Sequence, residues 1–208
     1  MKKVLILYGH PRNDRSEMNL PMSAIARSLD DVTLVDLYAE YPTFDISVEK
    51  EQQRLLDHDI VAFQHPLYWY SVPALLKEWQ DLVLEHGFAY GSHGTALAGK
   101  LFFNAVTCGA SRSAYRPDGA YRRELRDLLA PFEETARLCK MRFLPPFEIY
   151  ASGHAREDGR LEKHLADYHR LLVALVNDRV DLERAERGNS LAQDLDNILL
   201  PDDSETAS

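Results

Sequence analysis

Apolar residues along this chain gather into five short runs separated by stretches of helical period. The runs are Val4–Tyr8, Val32–Leu37, Asp59–His65, Leu101–Thr107 and Phe143–Tyr150. Four of them are dense in Val, Ile, Leu and Phe with little alternation, the pattern of strands covered on both faces. Between them, Val72, Leu75, Leu76, Trp79, Leu82 and Val83 follow the i, i+3, i+4, i+7 rule, and so do Leu161, Leu165, Tyr168, Leu172 and Leu175. Helices from about Ser16 to Leu29 and from Val48 to Asp57 fill the first two crossovers. In the fourth, Leu125, Leu128 and Leu129 read as a short helix that breaks before Pro131, which opens a new one. Strands alternating with helices predict a parallel, doubly wound α/β sheet. Ligands of such sheets bind beyond the carboxyl ends of the strands. The segments after Tyr8, His65 and Thr107 are therefore the ones to read for chemistry.

The 208 residues give a single core-bearing domain, expected over 1–177, followed by an extension over 178–208. The net charge of −9 disfavours a nucleic-acid partner. That charge is uneven: from Asp178 onward nine acidic residues face three basic ones, so the extension carries −6 and the body is near neutral. Such an extension reads as solvated, with a disordered end over 201–208 and one apolar island, Ile198-Leu199-Leu200, that either docks or does nothing. The two cysteines, Cys108 and Cys139, argue against a disulfide framework and fit a reducing cytoplasm. No apolar run approaches the roughly 18 residues of a membrane span. The basic start before Val4 leads into too short an apolar stretch for a signal peptide.

After the first strand, Gly9-His10-Pro11-Arg12-Asn13-Asp14-Arg15-Ser16-Glu17-Met18-Asn19 is a polar loop entering a helix. Ser16 or Asn19 with the helix-start N–H groups can take a phosphate, helped by His10, Arg12 and Arg15. Plain capping by Ser16 explains the same residues. Neither a dinucleotide fingerprint nor a P-loop is present. After the third strand, Tyr68, Trp69 and Tyr70 are adjacent in a loop stiffened by Pro66 and Pro73. Neighbouring loop side chains cannot all point inward, so this surface suits a flat ligand, a dimer contact, or both. After the fourth, Thr107-Cys108-Gly109-Ala110-Ser111 offers small residues and backbone N–H groups to a heterocycle edge, or is an ordinary flexible loop. The eight His residues form no metal pattern. His164 and His169 are five apart, off a common helix face, and His58, His86, His93 and His154 read as solvent-facing.

These three loops, in this order on this fold, resemble the NAD(P)H quinone reductase branch of the flavodoxin-like superfamily. Within it the chain looks most like the cytoplasmic ancillary flavoproteins of the glutathione-gated Kef potassium-efflux systems. The resemblance runs from about Val4 to Leu175. It is most specific over Phe63-Gln64-His65-Pro66-Leu67-Tyr68-Trp69-Tyr70-Ser71-Val72-Pro73 and on to Trp79, then Gly87-Phe88-Ala89-Tyr90-Gly91 and Leu97-Ala98-Gly99-Lys100. It implies a three-layer sandwich around a five-stranded parallel sheet of order 2-1-3-4-5. It implies that His10 and the turn Ser16, Glu17, Met18, Asn19 hold the phosphate of flavin mononucleotide (FMN). Leu67, Tyr68, Trp69 and Tyr70 then cover the isoalloxazine, with Trp69 stacked on it, and Thr107, Cys108, Gly109 and Ala110 meet its polar edge. The family loop reads Thr-Thr-Gly-Gly. An Ala110 in place of a positive-φ glycine would be strained, and one that only needs closeness would not. In related mammalian enzymes a Tyr and a His assist hydride transfer. Tyr115 matches the Tyr, and Tyr121 stands where the His would fall, so the catalytic assignments are Tyr115 and Tyr121.

The activity so implied is two-electron, ping-pong hydride transfer from NAD(P)H through FMN to a quinone, in a homodimer whose Phe88 and Tyr90 reach the partner's site. FAD is the less favoured cofactor, because no extra segment is set aside for adenosine. The alternative is a regulatory subunit docked on a Kef-type transporter at the inner face of the membrane, with little catalysis. A one-electron flavodoxin fits less well, since those carriers are acidic over the body.

Overall fold

Val4–Tyr8, the first strand (β1), is buried at all five positions, and it pairs in parallel on both sides. The computed structural model describes residues 1–12, 14 and 16–201. After β1 come α1 (Asn19–Arg27), β2 (Val32–Asp36), α2 (Leu37–Glu40), α3 (Val48–Asp57), β3 (Ile60–Pro66), α4 (Ala74–Val83) and β4 (Leu101–Thr107). They are followed by α5 (Leu125–Leu128), α6 (Ala130–Leu138), β5 (Arg142–Phe143), β6 (Phe147–Ile149), α7 (Arg160–Val176), α8 (Leu182–Arg187) and α9 (Leu191–Ile198). The sheet runs β2-β1-β3-β4-β5, with β6 also on β4, and every pairing is parallel. The central strands β1, β3 and β4 are buried throughout, which is why their sequences run apolar without alternation.

Strand periodicity splits the core in two. Leu5, Leu7, Val61, Phe63 and Phe102 face one way, against Leu75, Leu76 and Trp79 of α4 and Phe132 of α6. Val4, Ile6, Ile60, Ala62 and Phe103 face the other, against Met22 of α1 and Tyr168, Leu171 and Leu172 of α7. The result is the expected three-layer sandwich. The registers bring Tyr8 level with Gln64, and Pro66 level with Thr107, so the ends of β1, β3 and β4 form one rim.

Three expectations change. The fifth apolar run is two strands, not one. Pro145 and Pro146 have no N–H for the ladder, and Phe143 lies opposite Phe102 while Phe147 lies opposite Ala105, so this side holds one extra residue. The first helix starts at Asn19, three residues after Ser16. And the stretch 178–200 is no solvated appendage. Leu191, Leu195 and Ile198 of α9 and Ala185 of α8 are buried in the α7 side of the core. Val180 and Leu199 form an antiparallel bridge, with Asp181 N–H donating to the Ile198 carbonyl (2.8 Å). Polar residues cover the outer faces of these short helices, which is what makes the stretch look solvated in sequence. Of the apolar island, Ile198 docks within the chain and Leu200 is exposed. The end expected to be disordered lies, from 202 on, outside the described residues, as do Asn13 and Arg15 in the first loop.

Candidate functional site

The rim is built on a buried polar network. Gln64 at the end of β3 donates from Nε2 to the Asn19 carbonyl (2.9 Å) and to Ser23 Oγ (3.0 Å), and its Oε1 accepts from Tyr168 (3.1 Å). Asn19 Nδ2 donates to Thr107 Oγ1 (2.9 Å) at the end of β4. The start of α1 is thereby fixed to β3, β4 and α7 by bonds that are expensive to leave unmade in the interior. Ser16 is buried, and its Oγ accepts from Asn19 N–H (3.1 Å), closing the turn that leads into α1; the N-cap position itself is Met18, which makes no side-chain cap bond. Asn19 Oδ1 is buried with no partner among the described residues, leaving an acceptor for a hydroxyl or N–H brought in by a ligand.

Around this turn the assigned residues divide. Glu17 is exposed. Met18 turns its side chain into a small core with Ile149, Ala155 and Leu161, so only its backbone can serve a ligand. His10 is buried, and burial lowers its pKa below the usual value against the pull of Asp14 and Asp36. Its Nδ1 accepts from Arg12 N–H (3.1 Å), so the neutral ring carries its proton on Nε2 and presents a donor there. Arg12 pairs with Asp14 at 3.4 Å.

After β3, Tyr68 and Ser71 exchange two backbone hydrogen bonds (3.1 and 2.9 Å) across a two-residue turn, and both central residues are left-handed: Trp69 at φ 49° and Tyr70 at φ 64°. This is a type I′ geometry, normally the province of Asn-Gly. Two aromatics there store strain, and they are held out from the surface: Trp69 is 93% exposed. Tyr68 rests edge-on to His10, with ring centroids 6.0 Å apart.

After β4, Leu67 N–H bonds the Thr107 carbonyl (2.9 Å) and Cys108 N–H bonds that of Ile149 (2.8 Å), which brings the second and third loops together. Cys108 points into the core, where burial pushes its thiol up to about 12, so it is neither a nucleophile nor a ligand-facing group. Ala110 is absent from the positive-φ residues and is unstrained. Gly109 has open space where a Cβ would stand. Leu67, Trp69, Tyr70, Gly109, Ala110, Tyr115 and Tyr121 enclose a cavity of about 440 Å³. Two sets of residues taken from separate loops therefore converge on one flat-walled space.

Missing from the sequence reading are Glu148, Tyr150 and the α8–α9 pair. Tyr150 packs on Tyr115 with centroids 5.3 Å apart. Glu148 is buried, and desolvation raises its pKa to about 7 against hydrogen bonds from Ser190 and Gln193 and the nearby Arg112. A lone acid in the apolar run Phe147-Glu148-Ile149 was the available signal. His58 corrects another expectation: it is buried, bonded to Thr33 Oγ1 (2.8 Å) and the Arg54 carbonyl (2.7 Å). Among the described residues no cluster of His, Cys, Asp and Glu is arranged to hold a metal, and no helix is long and apolar enough to cross a membrane.

A sheet of order 2-1-3-4-5 with its loops converging beyond β1, β3 and β4 has counterparts among known proteins, and the model of the flavodoxin-like fold family matches residues 2–172. The chain belongs to that family. It is 46% identical over 166 residues to the glutathione-regulated potassium-efflux system ancillary protein KefG of Serratia proteamaculans, covering 80% of this chain and 90% of that one. General stress protein 14 of Treponema denticola, solved in complex with FMN, superposes with a TM-score of 0.78 at 40% identity, covering 83% of this chain and 99% of that one. An NADPH-quinone reductase from P. pentosaceus superposes with a TM-score of 0.74 at 33% identity, covering 81% and 96%. Helices α8 and α9 lie beyond the family match.

Proposed function

We propose that this protein is an FMN-dependent NAD(P)H:quinone oxidoreductase. The observation that carries the reading is the 440 Å³ cavity beyond β3 and β4, walled by Trp69, Tyr70, Tyr115 and Tyr121 and open at Gly109. Its aromatic walls and exposed backbone suit a tricyclic ring. The relative solved with FMN and the relative named NADPH-quinone reductase share this fold at 40% and 33% identity. Bound FMN would supply two-electron chemistry, accepting hydride equivalents from NAD(P)H and passing them to a quinone. The protein's part is placement. His10 Nε2–H and the N–H groups of the Ser16–Asn19 turn would take the phosphate. Asn19 Oδ1 would gain its missing partner. Gly109 and Ala110 N–H groups would face the polar edge of the ring, and Trp69 would cover its face and exclude water. The exposed Trp69 also supports a homodimer with shared sites.

Steady-state oxidation of NADPH with menadione tests this. The expected outcome is parallel double-reciprocal lines, the signature of a donor that leaves before the acceptor binds. Absence of turnover in FMN-loaded protein would overturn it. A second role, as the ancillary subunit of a Kef-type transporter at the inner membrane face, is favoured by the name of the 46%-identical relative. Reconstituted potassium efflux, with and without this protein, distinguishes a regulator from a free-standing enzyme.

A further inference from the structure

A second cleft, of about 820 Å³, adjoins the flavin cavity at Tyr115. Tyr115 lines both spaces, and Tyr150, packed on it, lines the second. One wall is the segment 112–126. The other is the α8–α9 junction, which lies beyond the family match and contributes Arg187, Gly188, Asn189, Ser190 and Gln193.

Its chemistry is divided by height. At the rim stand three exposed guanidinium groups, Arg112, Arg116 and Arg187. Arg116 pairs with Asp118 at 3.0 Å and Arg187 with Glu183 at 3.3 Å, and solvent-exposed pairs of this kind are readily exchanged for a better anion. Arg126 plays a different part: it bonds the carbonyls of Glu186 (3.3 Å) and Gly188 and the Glu133 carboxylate, locking the two walls together. On the floor lies the buried Glu148 carboxyl, which accepts from Ser190 Oγ (2.8 Å) and Gln193 Nε2 (2.8 Å). Asn189 Nδ2 reaches Glu124 Oε2 at 3.4 Å, and Asp194 completes the lining. Planar cations at a rim recognise phosphate oxygens in pairs. Carboxyl and carboxamide groups on a floor recognise sugar hydroxyls, and a tyrosine face accepts a base. The volume is within the usual range of small-molecule sites.

We propose that this cleft binds a phosphorylated ribonucleoside through Arg112, Arg116 and Arg187. Two sources share that chemistry. One is the adenosine-phosphate end of the dinucleotide hydride donor, reaching past Tyr115 from the flavin cavity, and this source rests on the oxidoreductase reading. The other is a free nucleotide acting on the segment that carries Tyr115 and Tyr121.

The test is calorimetric titration of the FMN-loaded full chain with adenosine 2′,5′-bisphosphate. The parent should bind it saturably. An Arg112→Ser/Arg187→Ser variant should bind it at least about tenfold more weakly, the scale of losing charge-assisted hydrogen bonds. Arg184→Ser, on α8 with its side chain bonded to the Asn197 carbonyl (3.0 Å) away from the cleft, should bind as the parent does. A KM for NADPH that rises about tenfold in the double variant, with that for reduced nicotinamide mononucleotide unmoved, identifies the donor's tail as the ligand. Weakened bisphosphate binding with an unmoved KM for NADPH identifies a free nucleotide. No saturable binding to the parent up to about 5 mM, or equal binding by parent and double variant, overturns the proposal. Calorimetry needs no turnover. Arginine-dependent binding in a protein that fails to oxidise NADPH would sink the oxidoreductase reading and leave this one standing.

Discussion

Tyr115 and Tyr121 lie edge to face, with ring centroids 4.9 Å apart, and the Tyr121 N–H bonds the Ala114 carbonyl (3.0 Å), which ties the two segments together. Tyr70 closes on Tyr121 from the other side at 5.3 Å. The two hydroxyls are not equivalent. Tyr115 is buried and turned toward the Cys108 thiol, and desolvation raises its pKa well above the ordinary phenol value. Tyr121 is only half-buried at the cavity wall. A proton delivered to a bound substrate is therefore expected from Tyr121. Tyr121→Phe should keep the ring contacts and the melting temperature while lowering kcat on the order of 100-fold. Tyr115→Phe should cost less. Stopped-flow rates for the two variants check this, and equal, unchanged rates would reduce both rings to walls.

Trp69 and Tyr70 occupy left-handed backbone that glycine adopts freely. Replacing Trp69, which is 93% exposed, with Gly relieves strain of about 1–2 kcal/mol, offset in part by the chain entropy glycine adds to the unfolded state. The ligand-free Trp69→Gly variant should melt about 2 °C above the parent. Trp69→Gly should nonetheless bind FMN about tenfold more weakly, because the flat cover is gone. Stability and affinity moving in opposite directions, read by thermal melts and flavin fluorescence quenching, marks a strained turn maintained for a ligand. Movement in the same direction would mark an ordinary structural turn.

The buried strands were legible because β1, β3 and β4 bury both faces, so composition alone marks them. The rim loops were legible because fold class says where to look. The left-handed turn was not: aromatic residues are no turn signal, and only the paired backbone of Tyr68 and Ser71 forces Trp69 and Tyr70 into it. The Asn19–Thr107 bond spans 88 positions and the Ser190–Glu148 bond 42, distances over which local patterns carry nothing. Helices α8 and α9 are six and eight residues long, too short for a convincing apolar period, and their charge hid the docked face.

That docked face predicts a large stability cost. Leu195 of α9 is buried against the α7 side of the core, while Leu200 just beyond it is 46% exposed. Leu195→Ala should lose about 2–5 kcal/mol by cavity formation, and Leu200→Ala less than about 0.5 kcal/mol. Urea unfolding measures both. Equal, small losses would restore the extension to a solvated appendage.

The buried titratable groups predict how stability follows pH. His65, bonded to Asn104 at 3.2 Å, and His164, stacked on Phe147 at 4.6 Å, are both held down to about 4 by desolvation, against an ordinary 6.5. Below pH 6.5 the unfolded chain takes up protons that the native protein refuses, so stability is lost as pH falls from 6.5 toward 4. Glu148 acts in the opposite sense. Desolvation lifts it to about 7 from 4.5, so between those values the native carboxyl keeps a proton that the unfolded chain has released, and stability declines as pH rises through that window. The ceiling on this decline is on the order of 3 kcal/mol. Glu148→Gln preserves acceptor and donor for Gln193 and Ser190 but has no charge to bury. Relative to the parent it should gain stability at about pH 8 and gain almost none at about pH 5. Urea unfolding at the two pH values decides it: a gain of equal size at both would show that folding leaves the Glu148 pKa where it lies in the unfolded chain.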